Sequence, residues 1–224
     1  MALVKICGLT SVADALAAAE AGADWLGLNF HPPSPRYLDE RTAHAIVTSL
    51  PQGVEAVGLF VNWQTVEIIA MARRIGLSTL QLHGDEPVDD LRHLQDAGFR
   101  VIRAFRLADP RAIATMTEWL EAAEKRGVSL LAVLADAYHA SGRGGTGQSI
   151  PDDVVELIPA SIGWNLILAG GLTPENVAER VQRIHPWMVD TASGVESSPG
   201  KKDAARMAAF IRAAKQPLAS DLRV

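Results

Sequence analysis

Short apolar runs alternate with amphipathic segments along the whole of this chain. The runs are four to seven residues long and rich in β-branched and aromatic residues, which favours strands over helices. They predict eight strands, at Val4–Cys7, Trp25–Phe30, Ala56–Val61, Thr79–His83, Val101–Phe105, Leu130–Asp136, Asn165–Ala169 and Met188–Thr191.

The segments between these runs repeat apolar residues at helical spacing, which predicts a helix after each strand. Thr173 followed by Pro174 indicates a helix start, with Thr at the N-cap and Pro in the first turn. The predicted helices are Val12–Ala21, Asp39–Leu50, Gln64–Ile75, Pro87–Ala97, Pro110–Arg126, Asp152–Ile158, Pro174–Ile184 and Lys202–Ala214. Helix ends are marked by Gly22, Gly76, Gly98 and Gly127.

Eight strand–helix pairs predict an α/β fold, a single-domain (β/α)8 TIM barrel. An open doubly wound sheet is the alternative, but it usually has five or six strands and a glycine-rich fingerprint after the first, which Cys7–Ser11 lacks. We expect residues 1–214 to form the catalytic barrel. Residues 215–224 contain Pro217 and few apolar side chains, and we expect a C-terminal tail there.

Composition narrows the range of partners. The 224 residues carry a net charge of −5 with no basic block, which argues against nucleic acid or an anionic membrane. No apolar run reaches the ~18 residues of a membrane span. A single cysteine cannot form an internal disulfide, and this favours a reducing cytosol. The expectation is a cytoplasmic protein.

Unusual side chains fall where the predicted strands end. Functional groups of such barrels gather at the C-terminal ends of the strands. Cys7 ends the first strand and Asp136 the sixth, while Asp190 lies near the end of the eighth. Cys7 could instead be a small buried apolar residue. Asp136 could cap a helix, but the next predicted helix begins only near Asp152, so Asp136 is a candidate general acid.

Histidines are less informative. His83 ends the fourth predicted strand, and a histidine there can be structural or catalytic. With His31, His139 and His185 it shows no His-x-x-x-His spacing, so the sequence predicts no metal site.

The connections after the strands suggest a ligand. His31–Tyr37 is stiffened by prolines and carries one cation, Arg36. Ala137–Pro151 is long for its position and glycine-rich, which suggests a cover or a cradle. Glycine clusters follow the last three strands and favour a phosphate site on one rim, although each alone could be an ordinary turn. The clusters are Gly144–Gly147, Gly170–Thr173 and Ser193–Glu196.

Taken together, these motifs resemble the phosphoribosylanthranilate isomerase family of tryptophan biosynthesis. The resemblance covers essentially the whole chain in the expected order. The matching motifs are Lys5–Thr10, Ser34–Tyr37, Gly58–Asn62, Leu80–Glu86, Asp136, Gly144–Gly147, Ala169–Val177, Asp190–Glu196 and Gly200–Asp203.

The resemblance implies an Amadori rearrangement of N-(5-phosphoribosyl)anthranilate to 1-(2-carboxyphenylamino)-1-deoxyribulose 5-phosphate, without cofactor or metal, by a monomer or homodimer. By motif, Cys7 would be the general base, Asp136 the general acid and Arg36 the partner of the anthranilate carboxylate. Asp190, His83 and Gln81 would contact the rest of the substrate. The phosphate would bind at Gly145, Gly147, Gly170, Gly171, Ser193 and Gly194.

Two other functions stay open at this point. One is a different phosphosugar isomerase on the same scaffold; the related aminoimidazole ribotide isomerases have Asp where this chain has Cys7. The other is a non-catalytic phosphosugar-binding barrel, against which Cys7 and Asp136 both argue. For Arg36, the alternative is a surface ion pair with Asp39 or Glu40.

Overall fold

The computed structural model describes residues 1–107, 110–137 and 163–216. Eight parallel strands close into a barrel in chain order, and β1 pairs with β8. The predicted TIM barrel is therefore confirmed, and the open doubly wound sheet is wrong. The strands are β1 (Leu3–Cys7), β2 (Trp25–Asn29), β3 (Glu55–Phe60), β4 (Thr79–Leu82), β5 (Arg100–Leu107), β6 (Ala132–Ala137), β7 (Asn165–Leu168) and β8 (Met188–Thr191).

Helices follow the strands throughout the described part of the chain. The predicted helix Asp152–Ile158 lies outside the described residues. A short antiparallel hairpin, β9 (Glu196–Ser198) and β10 (Lys201–Lys202), follows β8. The helices are α1 (Val12–Glu20), α2 (Glu40–Ser49), α3 (Thr65–Ile75), α4 (Val88–Asp96), α5 (Pro110–Lys125), α6 (Val177–Ile184) and α7 (Ala204–Ala214).

Two predicted helix starts are wrong. The helix predicted from Pro174 begins at Val177, with Asn176 at its N-cap. The Thr173 hydroxyl does accept a hydrogen bond from the Glu175 N–H, but the bond closes a turn ahead of the helix. Similarly, Lys202 lies in β10, and α7 begins two residues later, after Asp203 has capped it through the Arg206 N–H.

The barrel has two apolar layers because strand side chains alternate between its two faces. Val4 and Ile6 pack outward into the layer between strands and helices. The opposite positions point into the barrel, where the apolar cluster includes Ile102, Leu134 and Met188. Both layers are needed, since a parallel barrel buries both faces of its sheet.

The barrel interior changes from apolar to polar along its axis. At the N-terminal end of the strands, the rings of Trp25 and Trp187 meet edge to face with centroids 5.3 Å apart. Toward the C-terminal end, the inward positions are held by polar residues, so the interior opens onto a charged mouth. The inward positions there include Lys5, Cys7, Gln81, His83, Asp136 and Asp190.

The residue that follows α7 contacts the end of the barrel opposite the mouth. Lys215, just after α7, places its Nζ 2.8 Å from Asp24 Oδ2. Asp24 in turn accepts a hydrogen bond from the Val4 N–H, which ties this residue to β1. Residues 217–224, the greater part of the predicted tail, lie outside the described residues.

Candidate active site

Cys7 sits at the end of β1 in a space that Gly27 leaves free. The thiol is buried, with 6% of the residue exposed. If Gly27 were alanine, its Cβ would lie 2.7 Å from Cys7 Sγ, which is closer than two non-bonded atoms of this kind approach. Gly8 follows with a φ of 75°, and any side chain there would overlap Arg36. The two glycines therefore let the thiol and the guanidinium reach the mouth of the barrel.

Beneath the thiol lies a buried ion pair. Lys5 faces the barrel interior on the same side of β1 as Cys7 and is fully buried. Its Nζ donates to Asp190 Oδ1 at 2.9 Å, across the β1–β8 pairing in which these two residues are partners. Burial alone would lower the pKa of the Lys5 ammonium, but Asp190 and Cys7 raise it above its ordinary value. Lys5 is therefore charged.

Burial controls the ionisation of the Cys7 thiol. It raises the pKa of the thiol above its ordinary value, because a thiolate loses its hydration inside the barrel. The Lys5 ammonium opposes this rise, Asp190 adds to it, and Lys202 opposes it again. In the unliganded protein at neutral pH the thiol is protonated, and additional positive charge from a substrate would favour the thiolate.

Arg36 is held in place by its own loop and by a distant carboxylate. The Ser34 hydroxyl accepts from the Arg36 N–H. The Arg36 Nε and Nη2 atoms donate to the two oxygens of Glu196, at 2.7 and 2.8 Å. This two-bond fork is the strongest geometry for the pair. The alternative of a surface pair with Asp39 or Glu40 is wrong.

Asp39 and Glu40, the two acids close to Arg36 in the sequence, have other partners. Asp39 caps α2 by accepting from the Thr42 N–H. Glu40 forms an exposed fork with Arg74.

Glu196 also binds Lys202, so two cations share one carboxylate. Lys202 Nζ lies 3.0 Å from Glu196 Oε1 and also donates to the Ala192 carbonyl. Burial would raise the pKa of the Glu196 carboxyl, but hydrogen bonding from Arg36 and the charge of Lys202 hold it below its ordinary value. We call Arg36, Glu196 and Lys202 the mouth triad. Its net charge is +1, which suits one further carboxylate.

Asp136 and His83 meet on the other side of the mouth. His83 Nε2 lies 3.4 Å from Asp136 Oδ2, and Gln81 Nε2 lies 3.3 Å from His83 Nδ1. The side chains of His83 and Asp136 are 16% and 29% exposed. Gln81 Oε1 and His83 Nε2 are buried atoms without a hydrogen-bond partner among the described residues. This side of the mouth therefore has hydrogen-bonding capacity left for a ligand.

The loop after β4 has its own buried anchor outside the barrel. Glu86 accepts from the backbone N–H groups of Asn62 and Gly84, and Arg103 donates to Glu86 and to the Gly84 carbonyl. The Arg103 guanidinium lies 5.3 Å from the ring centroid of Phe105. These contacts fix the chain immediately after His83.

The predicted phosphate residues lie partly within the described structure. Gly170 and Gly171 follow β7 with φ values of 91° and 66°, a region that glycine adopts easily. Ser193 and Gly194 form a 3-10 turn after β8. A Cβ on Gly194 would overlap the Leu172 carbonyl. The loops after β7 and β8 thus touch at one rim, while Gly145 and Gly147 lie outside the described residues.

Two features are absent from residues 1–107, 110–137 and 163–216. In these ranges no three His, Cys, Asp or Glu side chains are close enough together to hold a metal ion. None of the helices there is long and apolar enough to cross a membrane.

Comparison with known proteins decides between the functions left open by the sequence. A family model described as N-(5'phosphoribosyl)anthranilate (PRA) isomerase matches residues 4–213. The chain belongs to this family. Its activity is the isomerisation of phosphoribosylanthranilate in tryptophan biosynthesis, and its substrate is a phosphorylated small molecule. The family match rules against the non-catalytic barrel and the aminoimidazole ribotide isomerase.

Relatives within the PRA isomerase family align over nearly their whole length. The Geobacter sulfurreducens enzyme is 44% identical over 215 residues, covering 96% of this chain and 99% of the relative. The Chlorobaculum tepidum enzyme is also 44% identical, with 96% of each chain covered.

Solved PRA isomerase structures have the same fold. The Thermotoga maritima enzyme superposes with a TM-score of 0.86 at 35% identity, covering 96% of this chain and 99% of that one. A structure in complex with reduced 1-(o-carboxyphenylamino)-1-deoxyribulose 5-phosphate gives a TM-score of 0.82 at 34% identity, with the same coverage.

Sequence reasoning missed three charged residues of this PRA isomerase site: Lys5, Glu196 and Lys202. A signal for Lys5 was present, because a lysine two positions before Cys7 on a buried strand must share its inward face. Glu196 and Lys202 gave no comparable signal, since their contacts depend on a hairpin that the pattern does not reveal.

Proposed function

We propose that Cys7 is the general base and Asp136 the general acid of the isomerisation. The observation that carries this assignment is their placement. Both side chains face the barrel interior at the C-terminal ends of their strands, on separate sides of the mouth. Cys7 lies among buried charges, whereas Asp136 is partly exposed beside His83. An acid and a base that serve different atoms of one substrate need this separation.

The proposed reaction combines opening of the ribose ring with a series of proton transfers. Asp136 gives a proton to the ribose ring oxygen, and the C1′–O bond breaks to leave a cationic imine. The Cys7 thiolate removes the proton at C2′, whose electrons form the C1′–C2′ double bond of an enolamine. C1′ then gains a proton and the 2′-hydroxyl loses one, giving the ketone. The imine's positive charge arises next to a thiol that burial keeps protonated, and it favours the thiolate when the thiolate is needed.

We propose that Arg36 binds the anthranilate carboxylate. The support is the mouth triad, whose two cations and one carboxylate leave one positive charge unbalanced. The substrate carboxylate would supply the missing negative charge. A guanidinium matches a carboxylate in shape as well as in charge.

The remaining substrate contacts follow from the same rim. Asp190 Oδ1 accepts a hydrogen bond from Lys5, and its second oxygen can accept one from a sugar hydroxyl. Gln81 and His83 have buried polar atoms without partners in the described part of the chain, and these suit the ribose hydroxyls. Backbone N–H groups at Gly170, Gly171, Ser193 and Gly194, with Gly145 and Gly147, would bind the phosphate. We expect inorganic phosphate or sulfate to inhibit competitively.

A fluorescence assay that follows loss of phosphoribosylanthranilate tests the base assignment. We expect turnover by the wild-type enzyme, and a loss of roughly 10²–10⁴ in kcat for Cys7→Ala, the usual contribution of a general base. Cys7→Ser should be nearly as slow, because a hydroxyl is far harder to deprotonate. Wild-type turnover by Cys7→Ala would refute the assignment.

Location, domain boundary and assembly are also proposals. We place the enzyme in the cytoplasm, where phosphorylated biosynthetic intermediates are retained. We assign residues 1–214 to the catalytic barrel and residues 215–224 to a tail. For assembly we propose a monomer or a homodimer; one related structure is described as monomers made from a dimeric Thermotoga maritima enzyme. Light scattering of the purified protein distinguishes the two states.

A further inference from the structure

Lys5 is a fully buried charged residue that takes no part in the proposed proton transfers. Its side chain is 0% exposed, inside the barrel and one inward position below Cys7. An apolar residue could fill this space without removing a charge from water. A buried ion pair is a weak source of stability compared with well-packed apolar residues. The presence of Lys5 therefore calls for an explanation other than packing.

The charges around Cys7 explain why a charged residue is buried at position 5. Lys5 lies on β1 and Asp190 on β8, joined at 2.9 Å. The mouth triad, in the loop after β2 and on the β9–β10 hairpin, adds two cations and one carboxylate. These five groups sum to one positive charge, which the substrate carboxylate at the mouth triad would balance. Within the set, Lys5 is the cation on the same strand as Cys7, one inward position away, so its ammonium is placed to offset the charge of a thiolate there.

We propose that Lys5 is a positioning residue of the isomerisation, whose ammonium, fixed by Asp190, is the counter-charge beneath the Cys7 thiolate. The inference rests on the proposed base function of Cys7. In each turnover the thiol releases its proton to solvent and the thiolate then takes the C2′ proton, which restores the thiol. Lys5 keeps its own proton throughout, because Asp190 holds its ammonium in an ion pair at 2.9 Å. It acts on the reaction through Cys7 alone.

Direct titration of the thiol tests this proposal without substrate. Cys7 is the chain's single cysteine, so the ultraviolet absorbance of the thiolate reports on it, with Cys7→Ala as the blank for the tyrosines. Lys5→Met should raise the pKa of the thiol, and Asp190→Asn should lower it. Opposite shifts from the two halves of one ion pair are expected from electrostatics, and loss of packing would not produce them.

A control and a second variant separate charge from folding. Lys215→Met breaks a lysine–aspartate pair at the opposite pole of the barrel and should leave the thiol pKa unchanged. If Lys5→Met fails to fold, Lys5→Met/Asp190→Asn removes both buried charges at once. Its thiol pKa should still lie above that of the wild type, because Lys5 has the larger influence of the two.

Kinetics complete the test. Lys5→Met should lose about 10²-fold in kcat at neutral pH, the lower end of a general base's contribution, with a pH optimum moved to more alkaline values. Lys5→Arg keeps the charge and should recover at least part of the rate. An unchanged thiol pKa in folded Lys5→Met would overturn the proposal even with Cys7 confirmed as the base. Wild-type turnover by Cys7→Ala would overturn the base assignment instead, whatever the titration shows.

Discussion

The two sides of the barrel mouth are built differently. On the Cys7 side, the charged groups of the described residues are paired, Lys5 with Asp190 and the mouth triad within itself. These side chains are at most 11% exposed. On the Asp136 side, His83 Nε2 lies 3.4 Å from Asp136 Oδ2, and the Asp136 side chain is 29% exposed.

The difference matches what each proton transfer requires. A buried thiol ionises only if its surroundings are already arranged to receive a negative charge, because moving dipoles during the reaction would add to the barrier. A carboxylic acid needs to recover its proton after each turnover, and partial exposure to water makes that easy. The Cys7 side, whose charges are paired and buried, therefore suits the base, and the more exposed Asp136 side suits the acid.

On the Asp136 side, removing the general acid should have the largest effect on kcat. Asp136→Asn keeps the shape but cannot donate an acidic proton, so kcat should fall by about 10²–10⁴ with little change in substrate affinity. Steady-state kinetics with a direct binding measurement checks this. A change in KM alone would make Asp136 a binding residue, and Asp190 would be the next candidate for the acid.

On the Cys7 side, Arg36 should affect substrate binding more than the catalytic rate. Arg36→Met should raise KM by about 10–100-fold, as expected for a lost hydrogen bond to a charged group. The control is Arg74→Met, which removes an equivalent fork from an exposed pair with Glu40 and should be nearly silent.

A substrate analogue built on aniline sharpens the Arg36 test, because it lacks the carboxylate. The wild type should discriminate strongly against it, and Arg36→Met should lose most of that discrimination. Equal discrimination by the two proteins would assign the carboxylate to another group.

Added volume next to the Cys7 thiol tests how tightly the Cys7 side is packed. Gly27→Ala brings a methyl group to within 2.7 Å of Cys7 Sγ and should cost about 1–3 kcal/mol of stability. Displacing the thiol should also lower kcat about tenfold. Gly58→Ala is the matched control, since its methyl group meets Leu77 on the outer face of β3. It should destabilise the protein while leaving kcat unchanged, and equal losses of kcat would contradict this.

Acid pH should weaken the mouth triad by a small amount. The pKa of Glu196 is held below its ordinary value of 4.5, so its carboxylate favours the folded state. That contribution is complete above pH 4.5 and is lost as the pH falls through the lower folded-state value. Urea midpoints measured from pH 7 to pH 3 should fall less steeply for Glu196→Gln than for the wild type. Glu67→Gln, which removes an exposed carboxylate, should follow the wild-type slope.

The fold could be read from the sequence because local pattern determines it. Each apolar run became a strand, and the strand ends were misplaced by two residues at most, as at Leu130. The start of α6 was wrong because three turn residues precede Val177, which a Thr-Pro signal cannot distinguish from a first helical turn. Strand-end logic also placed Cys7 and Asp136 at the mouth.

The partners of these residues could not be read from the sequence. Arg36 was expected to pair, if at all, with its neighbours Asp39 or Glu40, yet its partner Glu196 is 160 residues away. Lys5 and Asp190 are 185 residues apart. Such contacts exist only after the barrel closes and brings β1 against β8. Closure of the barrel, rather than local sequence, thus creates the electrostatic setting of the thiol.

The division of the reaction between the two sides is tested most directly by a substrate carrying deuterium at C2′. Single-turnover rates would be compared for the wild type, Cys7→Ala and Asp136→Asn. Loss of the base in Cys7→Ala should make removal of the C2′ proton the rate-limiting step, so the isotope effect should rise to its full size. Slowing the acid should make ring opening limiting, so the isotope effect in Asp136→Asn should fall toward 1. The reverse pattern, or no difference between the variants, would contradict the assignment of base and acid to the two sides.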